Sequence, residues 1–272
     1  VQDHAKPKLA YDISPTLRAS YVLGLWQNEA TNRPKTYLRD AAGNPVYSGV
    51  VNIDGRNYNI SPTTFAMSNE QLLHVMHGLS LKSNTRGVWD WEVAASLYDY
   101  VEDEKRSSGS ALPAAASCGP GTIADGSGSG WNTLALKGTW RPGGAHVVDM
   151  GLQQDSGKLG YEVRSITGAG SDWESDEGGA LTSRIQGRSR LQSAWAQDAW
   201  RFAPRWMTVL GLRAEQWSVE DGETDFSATS NKSFERRDEF HLSPKAALSH
   251  QWTSDTVLKA SLGRAVRMPT LG

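Results

Sequence analysis

Apolar and polar residues alternate along this chain over runs of about ten residues, and a side-chain period of two fits a β-strand and no helix. Two kinds of connection separate the runs. Short ones fall near residues 14–16, 83–87, 141–144, 203–205 and 253–255, and long ones rich in Gly, Ser and Asp occupy about residues 29–69, 103–130, 169–181 and 221–237. The two kinds alternate, so antiparallel strands joined in this order carry every short turn at one end and every long loop at the other. A soluble sandwich has no reason for that sorting, whereas bacterial outer-membrane barrels have short periplasmic turns and long external loops. The expected fold is all-β: part of an antiparallel up-and-down transmembrane β-barrel, with about ten strands of a larger closed wall.

Six segments carry the alternation most cleanly. Their apolar sides include Leu23 and Leu25, Leu79 and Leu81, Val93 and Leu97, Leu134 and Leu136, Met150 and Leu152, and Leu258 and Leu262, all expected to meet lipid. Small or charged residues such as Ser20, Gly24, Glu92, Lys137, Asp149 and Lys259 occupy the opposite sides. Strands near 190–202, 206–219 and 240–252 show the pattern less cleanly. Alternation alone also suits a sandwich, so the placement of aromatics decides. The chain has 11 Trp, and Trp89, Trp91, Trp140, Trp206 and Trp252 all lie within a few residues of a short turn, the place of an interfacial aromatic girdle.

Composition excludes several other classes. Hydrophobic residues make up 38% of the 272, and no stretch approaches the ~20 consecutive apolar residues of a spanning helix. A net charge of −2 gives no footprint for nucleic acid. The single Cys118 reads as a small loop residue. His74 and His77 are three apart, which on a strand puts them on opposite faces and prevents a shared metal. The Gly-rich run at 125–130 lacks the ligand spacing of a calcium or phosphate loop and reads as a flexible connection. No nucleophile–base pairing stands out, and neither an enzymatic activity nor a cofactor is expected. Val1 opens without a signal peptide and Gly272 stops where a strand or loop should continue, so an internal segment of a longer chain is expected.

Two stretches carry a more specific signal. The run SAWAQDAWRF from Ser193 to Phe202, followed by WMTVLGLR from Trp206 to Arg213, resembles a barrel hairpin of the TonB-dependent outer-membrane receptors. LSPKAALS from Leu242 to Ser249, then LKASLGR from Leu258 to Arg264 and RMPTL from Arg267 to Leu271, is similar to a second hairpin of that family and its Arg-x-Pro-Thr segment. The resemblance implies a barrel of about 22 strands filled by an N-terminal plug. It also implies uptake of a scarce bulky ligand, commonly a ferric siderophore, driven by the TonB complex acting on the plug. Plug and closing C-terminal strands are expected to lie outside this chain. Gln197, Asp198, Trp200, Arg213, Arg267 and Pro269 match the family motifs and are expected to be structural, with Gln197, Asp198 and Arg267 as candidates for wall-to-plug hydrogen bonds.

Ligand contact is expected in the long external loops, at Tyr100 and Arg106 and at Trp173 among Asp172, Glu174, Asp176 and Glu177. Asp54-Gly55 in the first long loop signals a β-hairpin at the mouth. Two other readings remain open from sequence: a passive porin-like channel, and a soluble extracellular β binding module.

Overall fold

The computed structural model describes residues 1–226 and 230–269. Strands β1 (Gln2–Ala5) and β2 (Lys8–Ser14) pair in succession with β3 (Leu17–Asn32), forming one wall position interrupted beside Pro7. Pro7 has no N–H to give a ladder, and it sits on the sheet's edge, where that omission costs least. The first long connection contains a separate hairpin, β4 (Gly49–Ile53) and β5 (Arg56–Ile60). Its turn residues Asp54 and Gly55 both have positive φ, 51° and 80°, the backbone a two-residue turn between right-twisted strands requires.

The wall continues with β6 (Ser68–Ser83) and β7 (Trp89–Ser108). Next come β8 (Gly121–Asp125) and β9 (Gly130–Trp140), which share one position between β7 and β10 (His146–Ile166). Then follow β11 (Leu181–Ala203), β12 (Trp206–Asp225), the collinear pair β13 (Asn231–Phe234) and β14 (Arg237–Gln251), and β15 (Val257–Gly263). Neighbours along the sheet are sequential and antiparallel throughout, ten positions in all among the described residues. No pairing joins the first position to β15 among the described residues, so the wall is a partial barrel. Thr270 and Leu271 of the last motif, and positions 227–229 of the last long loop, lie outside the described residues.

Two expectations about the connections change. Strands β7, β10, β11 and β12 run 20, 21, 23 and 20 residues, about twice the ~9–11 needed to cross a bilayer. They therefore project past the lipid, and the second long connection shrinks from 103–130 to 109–120. The run at 125–130 is an interruption within a wall position rather than a flexible link. Ser129 is buried there, its hydroxyl donating to the Gly160 carbonyl at 2.9 Å and accepting from the Gly160 N–H at 3.0 Å. Glycine is required at 130 because a Cβ would collide with the Tyr98 carbonyl.

Register makes the two faces of the wall distinct. Leu81 stands opposite Val93, Val93 opposite Leu136, Leu136 opposite Leu152, and Leu152 opposite Ala194. Leu212 stands opposite Pro244, and Ala246 opposite Leu262. Followed through these ladders, all twelve residues assigned to lipid from sequence share one face. His77 shares it too, opposite Leu97, and its Nδ1 lies 2.8 Å from the Tyr21 hydroxyl. Along the short-turn end runs a belt of rings: Trp89 stacks on Trp140, Trp200 on His146, and Trp206 on His250, with centroids 5.7, 5.5 and 4.0 Å apart. Among the described residues the buried apolar cluster is small and lies away from the wall's middle: Met67, Ala115, Ile123, Ile166 and Trp173.

Candidate functional site

The opposite, polar face carries many small and charged side chains, and a close cluster of aromatic rings stands among them. Tyr98 and Tyr100, two apart on β7, point to the same side. Register places Trp26 and Tyr100 on either side of His74, and Trp131 beside Tyr98. The rings pack closely: His74 on Tyr100 at 3.9 Å and 11°, Tyr98 on Trp131 at 4.2 Å and 4°, Trp26 against His74 at 4.8 Å. His74 Nδ1 lies 3.1 Å from the Tyr98 hydroxyl and Nε2 lies 2.8 Å from the Asp103 carboxylate.

That last contact depends on a bulge. His74 pairs with Tyr100 while Leu73 pairs with Glu102, so Val101 is an extra residue on β7. Residues three apart on a regular strand face opposite ways; the inserted residue brings Asp103 round to the side of Tyr100. The cluster is therefore fixed in orientation through both imidazole nitrogens.

A cavity of about 530 Å³ adjoins the cluster, lined by Tyr100, Trp131, Thr133, Asp155, Leu191 and Trp217. Asp155 accepts from the Thr133 hydroxyl at 2.7 Å and the Gln153 amide at 2.8 Å. Two strands away, on β12, Glu215 pairs with Arg213 at 2.9 Å and accepts from Ser243 at 3.2 Å. This surface offers π-faces for stacking and fixed hydrogen-bonding groups at its rim, a combination suited to ring-bearing ligands. Among the described residues no three His, Cys, Asp or Glu side chains gather as a metal site.

The residues expected from sequence are distributed unevenly. Tyr100 lies in the cluster, in a strand rather than a loop. Arg106 is occupied by Glu104 at 2.6 Å and by the Asp176 carbonyl at 2.8 Å. Trp173 is fully buried, its indole N–H donating to the Ala115 carbonyl at 2.9 Å, and is corrected from ligand contact to loop anchor. Around it three long connections close on one another: the Met67 N–H donates to the Ser108 hydroxyl at 2.9 Å, and the Gly119 N–H to the Ser171 carbonyl at 2.8 Å. Beside it, the Ser175 hydroxyl and then the Glu174 N–H hold the Asp172 carboxyl below its ordinary pKa.

Of the motif residues, Gln197 and Arg213 take the polar face, where Gln197 donates to Asp149 at 3.1 Å. Asp198 and Trp200 take the apolar face, opposite Leu210 and Thr208. Adjacent strand residues cannot both point inward, so Asp198 is corrected from a wall-to-plug candidate to a partner of His146, 2.7 Å away in the aromatic belt. Pro269 reaches the rim of the 530 Å³ cavity, and Arg267 lies in the segment leading there from β15. Sequence reasoning missed Trp26, His74, Tyr98 and Trp131. The available signal was two tyrosines two apart on a strand whose same side otherwise carries Asp90, Glu92, Ala94 and Ser96.

A comparison with curated proteins returns no match. Among solved structures the chain resembles the alcaligin outer-membrane receptor FauA of Bordetella pertussis, with TM-score 0.61, 10% identity, and 96% of this chain covering 34% of that one. It resembles P. aeruginosa FpvA, solved bound to heterologous pyoverdines, with TM-score 0.61, 14% identity and the same two coverages. It also resembles the copper transporter OprC, with TM-score 0.59, 13% identity, and 99% of this chain covering 37% of that one. The chain thus spans about a third of the length of each. The family model described as TonB dependent receptor-like, beta-barrel, matches residues 11–272, so the chain belongs to the β-barrel family of TonB-dependent receptors, proteins of the bacterial outer membrane.

Proposed function

We propose that this chain is a wall segment of a receptor for energy-coupled uptake of a bulky, scarce ligand, and that the ligand is a ferric siderophore. The TonB complex acts through a plug domain outside this chain, and the activity is transport rather than catalysis. The observation that carries the reading is the aromatic cluster of Trp26, His74, Tyr98, Tyr100 and Trp131 on the polar face, held rigid through Asp103. A passive channel does not need such a fixed stacking surface. The twelve apolar-face residues meet lipid in this reading. A soluble binding module would not leave Leu79 and Leu152 more than half exposed on a continuous apolar face.

The test is binding of a panel of ferric siderophores to the whole protein in detergent, by calorimetry. Truncating a central stacked ring typically costs ~2 kcal/mol, so Trp131→Ala and Tyr98→Ala should each weaken the bound member about 30-fold. A protein that binds no ferric chelate would sink the ligand assignment, and unchanged affinity in both variants would remove the cluster from the site.

A further inference from the structure

The apolar face ends in a cationic group. Lys158 of β10 and Arg188 of β11 stand directly opposite one another, and Arg190 is one place closer to the wall's middle, opposite Ser156. Like charges directly opposed across a ladder are destabilising. Among the described residues Arg188 has a carboxylate partner, Asp221 at 3.4 Å, and neither Lys158 nor Arg190 forms an ion pair. The three cations line a groove of about 300 Å³ with the hydroxyl-bearing Ser156 and Ser218. Asp99 and Glu220 share its rim, the latter 3.6 Å from Arg236.

Position gives this group its meaning. From Trp200 in the aromatic belt to Arg190 is about ten residues, or about 33 Å of strand, which a ~40° tilt reduces to about 25 Å. That is the height of the lipid-facing band of an outer-membrane barrel, so the cations lie where the outer headgroups begin. Directly below, on the same face, is a second groove of about 410 Å³. Ala194 and Ala214 leave it open, and Leu134, Leu136, Leu152 and Phe240 flank it. A shallow, mainly apolar groove, bounded towards the cations by the hydrogen-bonded Gln154 and Gln192 and leading up to a group in which Lys158 and Arg190 form no ion pair, matches an acyl chain beneath a phosphate.

We infer that this part of the wall binds a phosphorylated lipid of the outer leaflet, with phosphate on Lys158, Arg188 and Arg190 and an acyl chain over Ala194 and Ala214. The inference rests on the apolar face meeting lipid. The bound anion relieves the opposition of Lys158 and Arg188.

The test uses the whole protein in detergent micelles, titrated by native mass spectrometry with diphosphoryl lipid A, its dephosphorylated counterpart and inorganic phosphate. The diphosphoryl form is expected to bind about 10- to 100-fold more tightly than the dephosphorylated one. Lys158→Gln, Arg188→Gln and Arg190→Gln together should abolish that ratio. Ala194→Trp, which fills the groove, should weaken both lipids and leave the ratio intact. Equal affinity of the unaltered protein for the two lipids overturns the inference without any variant. Inorganic phosphate binding as tightly as the lipid, or a ratio that survives the triple substitution, overturns it as well. A protein that stays monomeric and folded in plain buffer defeats instead the lipid-facing reading on which the inference stands.

Discussion

At the short-turn end β11 passes to β12 through Pro204 and Arg205 alone, and the rings of Trp200, Phe202 and Trp206 follow one another along that edge. At the long-loop end the strands run on past the lipid, and three connections close around the buried Trp173. The first region follows one rule, apolar outward and polar inward with aromatics at the interface, because a single solvent boundary dictates it, and its polar exception Asp198 is paired with His146. The second has water on both faces, so alternation lapses and order comes from specific packing between segments distant in sequence. Uptake receptors need both: a wall fixed by the bilayer, and a mouth whose shape is set by its own contacts.

The largest expected effect separates the two regions outright. Trp173→Ala should cost about 3–5 kcal/mol of local loop stability. Hydrogen exchange should speed up at 109–120 and 167–180 while the wall strands keep their protection. Loss of protection in β10 and β11 as well would show that the loop assembly and the wall form one cooperative unit.

A somewhat smaller effect probes the wall. Leu136→Arg on the apolar face should cost about 2–4 kcal/mol in a urea titration of the protein folded in lipid vesicles. Ala135→Arg, one residue away on the polar face, should cost little. Equal costs would erase the distinction between faces. Tyr21→Phe deprives His77 of its partner on the apolar face and should cost about 1–3 kcal/mol by the same titration.

The smallest effect concerns pH at the mouth. The Asp172 carboxyl is held below its ordinary 3.8 by the Ser175 hydroxyl first and the Glu174 N–H second. A depressed folded pKa stabilises above the ordinary value, and that contribution is lost as pH falls through the folded one. Proteolytic protection of 167–180 should therefore decline below about pH 3.8, and Asp172→Asn should flatten the decline. A decline of equal size in the variant would assign it to another group.

What could be read from sequence follows the same division. The faces of β3, β6, β7, β9 and β10 were legible because lipid forces every second residue to be apolar, as in Trp89, Trp91, Val93, Ala95 and Leu97. The outer halves of β10 and β11 were not, since water on both sides allows runs such as Ser189 and Arg190 beside Gly187 and Arg188. Trp173 looked like a ligand contact because its partners Met67 and Ala115 are far away in sequence and nothing local signals burial. The aromatic cluster was half legible: Tyr98 and Tyr100 share a side by period two. The bulge at Val101 that turns Asp103 towards His74 leaves no pattern in the residues themselves. Asp198 was misplaced by treating a motif as a unit, although adjacent residues on a strand must face opposite ways.

The most direct test of the wall reads its two faces residue by residue. With Cys118→Ser, the substitutions Thr133→Cys, Leu134→Cys, Ala135→Cys, Leu136→Cys and Lys137→Cys are introduced singly, spin-labelled, and placed in lipid vesicles as the whole protein. Collisions with oxygen report lipid, and collisions with a water-soluble nickel chelate report an aqueous lumen. Labels at 134 and 136 should favour oxygen and those at 133, 135 and 137 the chelate, in strict alternation. Uniform accessibility along the five positions, or alternation in the opposite phase, would contradict a wall with lipid on one face and the ligand path on the other.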